Sequence, residues 1–74
     1  MNHWWVYIIE KKNKFYVGIT TDISNRLRQH GHPPLLYKEC LISRDQAVAR
    51  EKKIKGWSHK KKLELITKAS SQQR

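Results

Sequence analysis

A few residues in this 74-residue chain have types and spacings that can do chemistry. Arg26 and His30 stand four apart, so on a helix they share one face. An arginine there can hold a phosphate through its forked N–H donors, and the histidine can manage a proton at the leaving oxygen. Glu51 has Ala47 and Val48 one turn before it and Ile54 one turn after. A carboxylate on or beside such an apolar stripe is costly unless it is paired or bound to a metal. Tyr7 and Tyr16 can orient or deprotonate a water, although a phenol with an ordinary pKa near ~10 needs a cation or base beside it. Gly18 weakens the apolar run it interrupts, which suggests close approach of another backbone or a ligand. Each feature also has a plainer reading. Glu51 can pair with Lys55 at i+4, His30 can end a helix at the negative end of its dipole, and two tyrosines can form a cross-strand contact.

These residues need elements to hold them. Trp4 to Ile9 and Phe15 to Thr20 have the aromatic and β-branched composition of strands, and polar Lys11 to Lys14 lies between them. Asn13 tolerates the left-handed backbone of a tight turn, so the two runs read as a β-hairpin. An even-numbered loop puts Tyr7 and Tyr16 on one face; an odd one separates them. Thr20, Thr21 and Asp22 are N-cap residues for a short helix carrying Ile23 and Leu27, with Gly31 as its C-cap and Pro33-Pro34 as its stop. Leu35 to Ile42 is a third strand. Ser43 with Gln46 forms a capping box for a second helix that Gly56 ends. Ser58 caps a third helix expected to bury Leu63 and Ile66. The order is ββαβαα, an α+β domain over residues 1–68, followed by a tail over residues 69–74 that lacks periodicity and is expected to fray.

Composition narrows the partners. Sixteen Lys and Arg oppose six Asp and Glu, a formal net charge of +10. So large a charge on so small a body points to a polyanion, usually nucleic acid. Lys52, Lys53, Lys55, Lys60, Lys61 and Lys62 cluster on the second and third helices, where they either follow a nucleic-acid backbone or form a solvated face. No apolar stretch approaches the roughly 20 residues that span a bilayer, and the N-terminus lacks the features of a signal peptide. The single cysteine, Cys40, excludes an internal disulfide, fits a reducing compartment such as the cytoplasm, and reads as a core residue, as does Trp57. His30, His32 and His59 match no common zinc spacing.

Val6 to Ile8 (VYI) and Tyr16 to Gly18 (YVG) resemble the paired signature of the GIY-YIG nuclease family, with Trp5 in place of the first glycine and Val17 in place of the second isoleucine. The segments GITTDISNRLRQH and ISRDQAVAREKKIKGWSHKKKLELI are similar to that family's arginine-histidine and glutamate helices, in the same order. The resemblance is to small stand-alone bacterial members. It implies a three-stranded antiparallel sheet flanked by helices and metal-dependent hydrolysis of DNA phosphodiester bonds with low sequence specificity. It further implies Tyr7 and Tyr16 as the motif tyrosines, with Tyr7 preferred as the one that activates water. Arg26 and His30 would act at the scissile phosphate, Gly18 would let substrate backbone approach, and Glu51 would hold one Mg²⁺ or Mn²⁺. Lys52, Lys53 and Lys55 join the list as candidate substrate contacts. The pattern departs from the family at Ile19, where several relatives carry a basic residue, and in the short stretch from His30 to Pro34. A nucleic-acid-binding module without turnover and a small basic adaptor remain the competing readings.

Overall fold

The computed structural model describes residues 3–72 of the chain, with side chains through Ala69. Its elements are β1 (Trp4–Lys11), β2 (Lys14–Thr20), α1 (Ile23–Gln29), β3 (Leu35–Leu41), α2 (Arg44–Lys55) and α3 (His59–Gln72). The three strands form one antiparallel sheet in the order β2-β1-β3. The α+β architecture ββαβαα is the one expected from the sequence.

The hairpin sets the register on which the site depends. Lys12 and Asn13 both have positive φ, 53° and 63°, and form the two-residue loop between β1 and β2. Two left-handed residues give the mirror-image turn whose twist matches the flanking strands. The loop is even, so Tyr7 faces Gly18 and Ile9 faces Tyr16 across the ladder, and all four share one face of the sheet.

The opposite face is the core. Val6, Ile8 and Val17 alternate with the site residues and pack against Ala47 and Ile54 of α2; all five are buried. Trp4, Phe15, Ile19, Tyr37, Leu41, Trp57, Leu65 and Ile66 surround them. α2 is tied to β3 by a second device: Arg50 Nε donates to both carboxylate oxygens of Glu39, at 3.1 and 3.3 Å, while the Tyr37 hydroxyl donates to the same carboxylate. Because Arg50 precedes Glu51, this tie fixes the rotation of the helix that carries the candidate metal ligand.

The helix ends follow their expected chemistry. Asp22 caps α1 by accepting from the Asn25 N–H, Ser43 caps α2 by accepting from Gln46, and Ser58 accepts from Lys61 at the start of α3. After α1 the chain turns back through Gly31 at φ 82°. The Gly31 N–H reaches the Arg28 carbonyl and the His32 N–H reaches that of Leu27, the paired bonds of a Schellman ending. Gln46 accepts from the Ile42 N–H rather than from that of Ser43, so the reciprocal half of the expected box reaches one residue further back.

Four details differ from the sequence-based expectation. α3 packs Leu65 and Ile66 on the core and leaves Leu63 47% exposed, because the half-buried positions Lys62, Leu65, Ile66 and Ala69 set the phase of the helix. The backbone of α3 continues through Gln72, where no Gly or Pro interrupts it, so helix persists into the segment expected to fray; residues 73 and 74 lie outside the described residues. Ile42 lies beyond β3 and is 77% exposed. Cys40 is exposed rather than in the core: it sits opposite Trp5 on the Tyr7 face, while alternation sends Glu39 and Leu41 toward the helices.

The turn generates a stability prediction. Asn13→Gly is expected to raise stability by about 0.5–1 kcal/mol, since glycine adopts the left-handed conformation freely. Asn13→Val is expected to lower it by about 1–2 kcal/mol, since a β-branched side chain resists positive φ. Urea denaturation of both variants checks the pair.

Candidate functional site

The site is built outward from Tyr7. Its side chain is 5% exposed and lies across Gly18, its partner on β2. A Cβ placed on Gly18 would stand 2.5 Å from the Tyr7 hydroxyl oxygen and 2.7 Å from Cζ. Only a residue without a side chain lets the phenol lie there. The space over Gly18, reserved by the sequence reading for substrate backbone, is therefore filled by Tyr7, and the glycine shapes the site through the tyrosine.

Two charges of opposite sign act on that phenol. Burial pushes the Tyr7 hydroxyl above its ordinary pKa of 10.0, the Arg26 guanidinium pulls it down, and the Glu51 carboxylate pushes it up. With its pKa raised, Tyr7 stays a neutral phenol near pH 7. Charges from two helices, Arg26 on α1 and Glu51 on α2, thus bear on a phenol carried by β1. Ionisation of a group raised in the folded state favours unfolding, so the stability tied to Tyr7 is complete below pH 10.0 and is lost as pH rises through the folded pKa. Tyr37 is raised in the same direction, first by burial and then by its hydrogen bond to Glu39.

Glu51 sits on the stripe between buried Ala47 and Ile54, with its side chain 19% exposed. Its one salt bridge among the described residues is the i+4 contact to Lys55 at 3.5 Å, and that lysine is 55% exposed. A long, solvated lysine at that distance is a weak, screened partner that can swing away. The donor set is small: no group of three His, Cys, Asp or Glu side chains gathers among the described residues. A caged ion does not suit it. A hard divalent cation that keeps its waters and shares a substrate phosphate does, since such ions are commonly held by one or two carboxylates.

Tyr16 and His30 form the other end of the site. Tyr16 is 46% exposed and lines a recess with His30, Ile9, Lys11 and Lys12. His30 is the C-cap of α1, one turn beyond Arg26, so one short helix feeds both halves. Lys11 and Lys12 join the candidate residues only through the structure; in the sequence their one signal is their place in the turn, a few residues before Tyr16. The three lysines proposed as substrate contacts do not form one group. Lys55 lies against Glu51, Lys53 lines a separate groove with Leu41, Gln46, Ala49 and Arg50, and Lys52 is exposed on α2. Of the other helix lysines, Lys61 stands 4.7 Å over the ring of Trp57.

The chain is similar to several known proteins. The family model described as the GIY-YIG catalytic domain matches residues 3–34. The chain is 35% identical to a UPF0213 protein of Haloquadratum walsbyi, over 82% of this chain and 83% of that protein. It is 32% identical to a UPF0213 protein of Staphylococcus haemolyticus, over 84% and 92%. The solution NMR structure of a UPF0213 protein from Bacillus halodurans superposes with a TM-score of 0.61 at 25% identity, covering 90% of this chain and 84% of that one. It supports the same three-stranded α+β fold. No described helix is long and apolar enough to cross a membrane.

The contact between ring and glycine can be tested without any activity. Gly18→Ala is expected to destabilise the protein by about 1–3 kcal/mol through the displaced ring. In a Tyr7→Ala background the same substitution should cost much less. A double-mutant cycle by thermal or urea unfolding measures the coupling, and equal costs in both backgrounds contradict the placement.

Proposed function

Since this chain belongs to the GIY-YIG family, as a relative of the UPF0213 proteins, we propose that it is a divalent-metal-dependent nuclease that hydrolyses DNA phosphodiester bonds. The observation that carries the reading is that Arg26 and Glu51, on two different helices, both bear electrostatically on the hydroxyl of buried Tyr7. An arginine and a largely buried, loosely paired carboxylate around one phenol make poor structural sense alone and good sense around a phosphate and a cation.

In this mechanism Arg26 binds the scissile phosphate and stabilises the charge that grows on it as water attacks in line. Glu51, released from Lys55, would hold Mg²⁺ or Mn²⁺, which supplies Lewis-acid stabilisation of the leaving oxygen. Burial and the charge of Glu51 keep Tyr7 protonated, so it acts by donating a hydrogen bond that fixes the phosphate or the water. That argues against the preference for Tyr7 as the base. Tyr16 and His30 are better suited to receive the proton of the attacking water, because the Tyr16 side chain is open to solvent and both line the same recess. The phosphorus–oxygen bond to the leaving sugar then breaks, and that oxygen takes up a proton. Contacts to phosphate carry no base information, so cleavage is expected to have low sequence specificity. The net charge of +10 favours a polyanionic substrate.

The test is a cleavage assay on single-stranded, duplex, nicked and branched DNA with Mg²⁺ or Mn²⁺. The chain is expected to cleave at least one of these, and chelator should stop it. Arg26→Ala and Glu51→Gln should each lower the rate by about 100-fold or more while circular dichroism stays unchanged. Intact DNA on every substrate in both metals, with salt-sensitive binding, would instead favour a binding module; variants that cut as fast as the parent would remove Arg26 and Glu51 from the chemistry.

A further inference from the structure

The recess at the turn end of the sheet has a property that hydrolysis at Tyr7 does not require. Ile9, fully buried, belongs to its lining, and Lys11, Lys12, Tyr16 and His30 complete it around a volume of about 230 Å³. Two of these five residues are cations and none is a carboxylate. Neither lysine has a salt bridge among the described residues. Unneutralised positive charge in a concave site attracts an anion. The turn reinforces this, because it holds Lys12 in a left-handed conformation that glycine or asparagine usually fills, next to Lys11.

Register gives the location. The Ile9–Tyr16 pair follows the Tyr7–Gly18 pair by two residues on the same face of the sheet. At ~3.3 Å per residue this is a step of ~6.6 Å along β1. That step is comparable to the repeat between neighbouring phosphates of an extended nucleic-acid strand. The Tyr7–Gly18 pair and the Ile9–Tyr16 pair, which forms the inner wall of the lysine recess, are therefore one such step apart.

We propose that this recess is a second phosphate subsite, in which Lys11 and Lys12 hold the backbone phosphate adjacent to the scissile one. The proposal rests on the nuclease reading for its register but makes its own claim about binding. Tyr16 and His30 form the wall that it shares with the reaction site. The contact fixes where the strand lies without reading its bases.

The experiment measures equilibrium binding of a short, fluorescently labelled single-stranded DNA as a function of salt, in chelator, with Glu51→Gln as the parent so that turnover plays no part. Three proteins are compared: the parent, the parent with Lys11→Gln and Lys12→Gln, and the parent with Lys60→Gln and Lys68→Gln. The last pair removes the same charge from a groove on α3. Loss of one phosphate contact lowers the slope of log affinity against log salt by about 0.7. The Lys11/Lys12 variant is expected to show that drop together with weaker binding at low salt, and the α3 variant is expected to keep the parent's slope. Equal slopes in all three, equal drops in both variants, or no binding by the parent would each overturn the subsite. A chain that cuts nothing but shows the specific drop loses the nuclease reading and keeps the subsite; one that cuts DNA with an unchanged slope does the reverse.

Discussion

The arrangement of the site depends on one close approach: the ring of Tyr7 lying flush over Gly18. Any side chain at Gly18 would occupy the space that the phenol fills. Once buried, the hydroxyl is sensitive to charge in a way that an exposed phenol is not, because a poorly solvated group feels its neighbours more strongly. Arg26 and Glu51 act on it from two different helices, with opposite sign. The hairpin turn supplies the register that puts Tyr7 over Gly18, and the contact of Arg50 with Glu39 supplies the rotation of α2 that turns Glu51 inward.

This division of labour explains why the two faces of the sheet differ. Val6, Ile8 and Val17 form a dry core with α2, and they do so whatever happens on the other side. The Tyr7 face carries Cys40, Lys38 and Tyr16, all exposed, around the buried pair of Tyr7 and Ile9. A 74-residue chain has little surface to bury. One sheet face makes the core, and the other carries the candidate site residues Tyr7, Tyr16 and Gly18.

Much of the fold was legible in the sequence. Strand composition, the Asp22, Ser43 and Ser58 caps, and the glycine after the first helix each signal a boundary by a local mechanism, and those mechanisms operate in the structure. Two features were harder. The phase of α3 was ambiguous, because Leu63, Leu65 and Ile66 offer two stripes and only contact with the core selects Leu65 with Ile66. Cys40 was assigned inside on composition, whereas register with Trp5 puts it outside. Both outcomes are tertiary, and no short window of sequence contains them.

The site was legible as a set of residue types and much less as geometry. Spacing alone put Glu51 on the apolar stripe and Arg26 on the same helix face as His30. It could not say that Gly18 serves Tyr7, nor that Lys11 and Lys12 would flank Tyr16, since those facts depend on pairing across the hairpin. Nor could it separate Lys53 from Lys55, which share a charge and a helix but point into different surroundings.

The most direct test of the central arrangement follows the Tyr7 hydroxyl itself. Carbon-13 labelling at tyrosine Cζ allows its ionisation to be followed by NMR as pH rises, with and without Mg²⁺. If a cation neutralises Glu51, the charge that raises this pKa is offset while the pull of Arg26 remains. The account predicts that Mg²⁺ lowers the Tyr7 pKa in the parent and leaves it unchanged in Glu51→Gln. An identical titration with and without Mg²⁺ in the parent, or the same metal effect in both proteins, would contradict it.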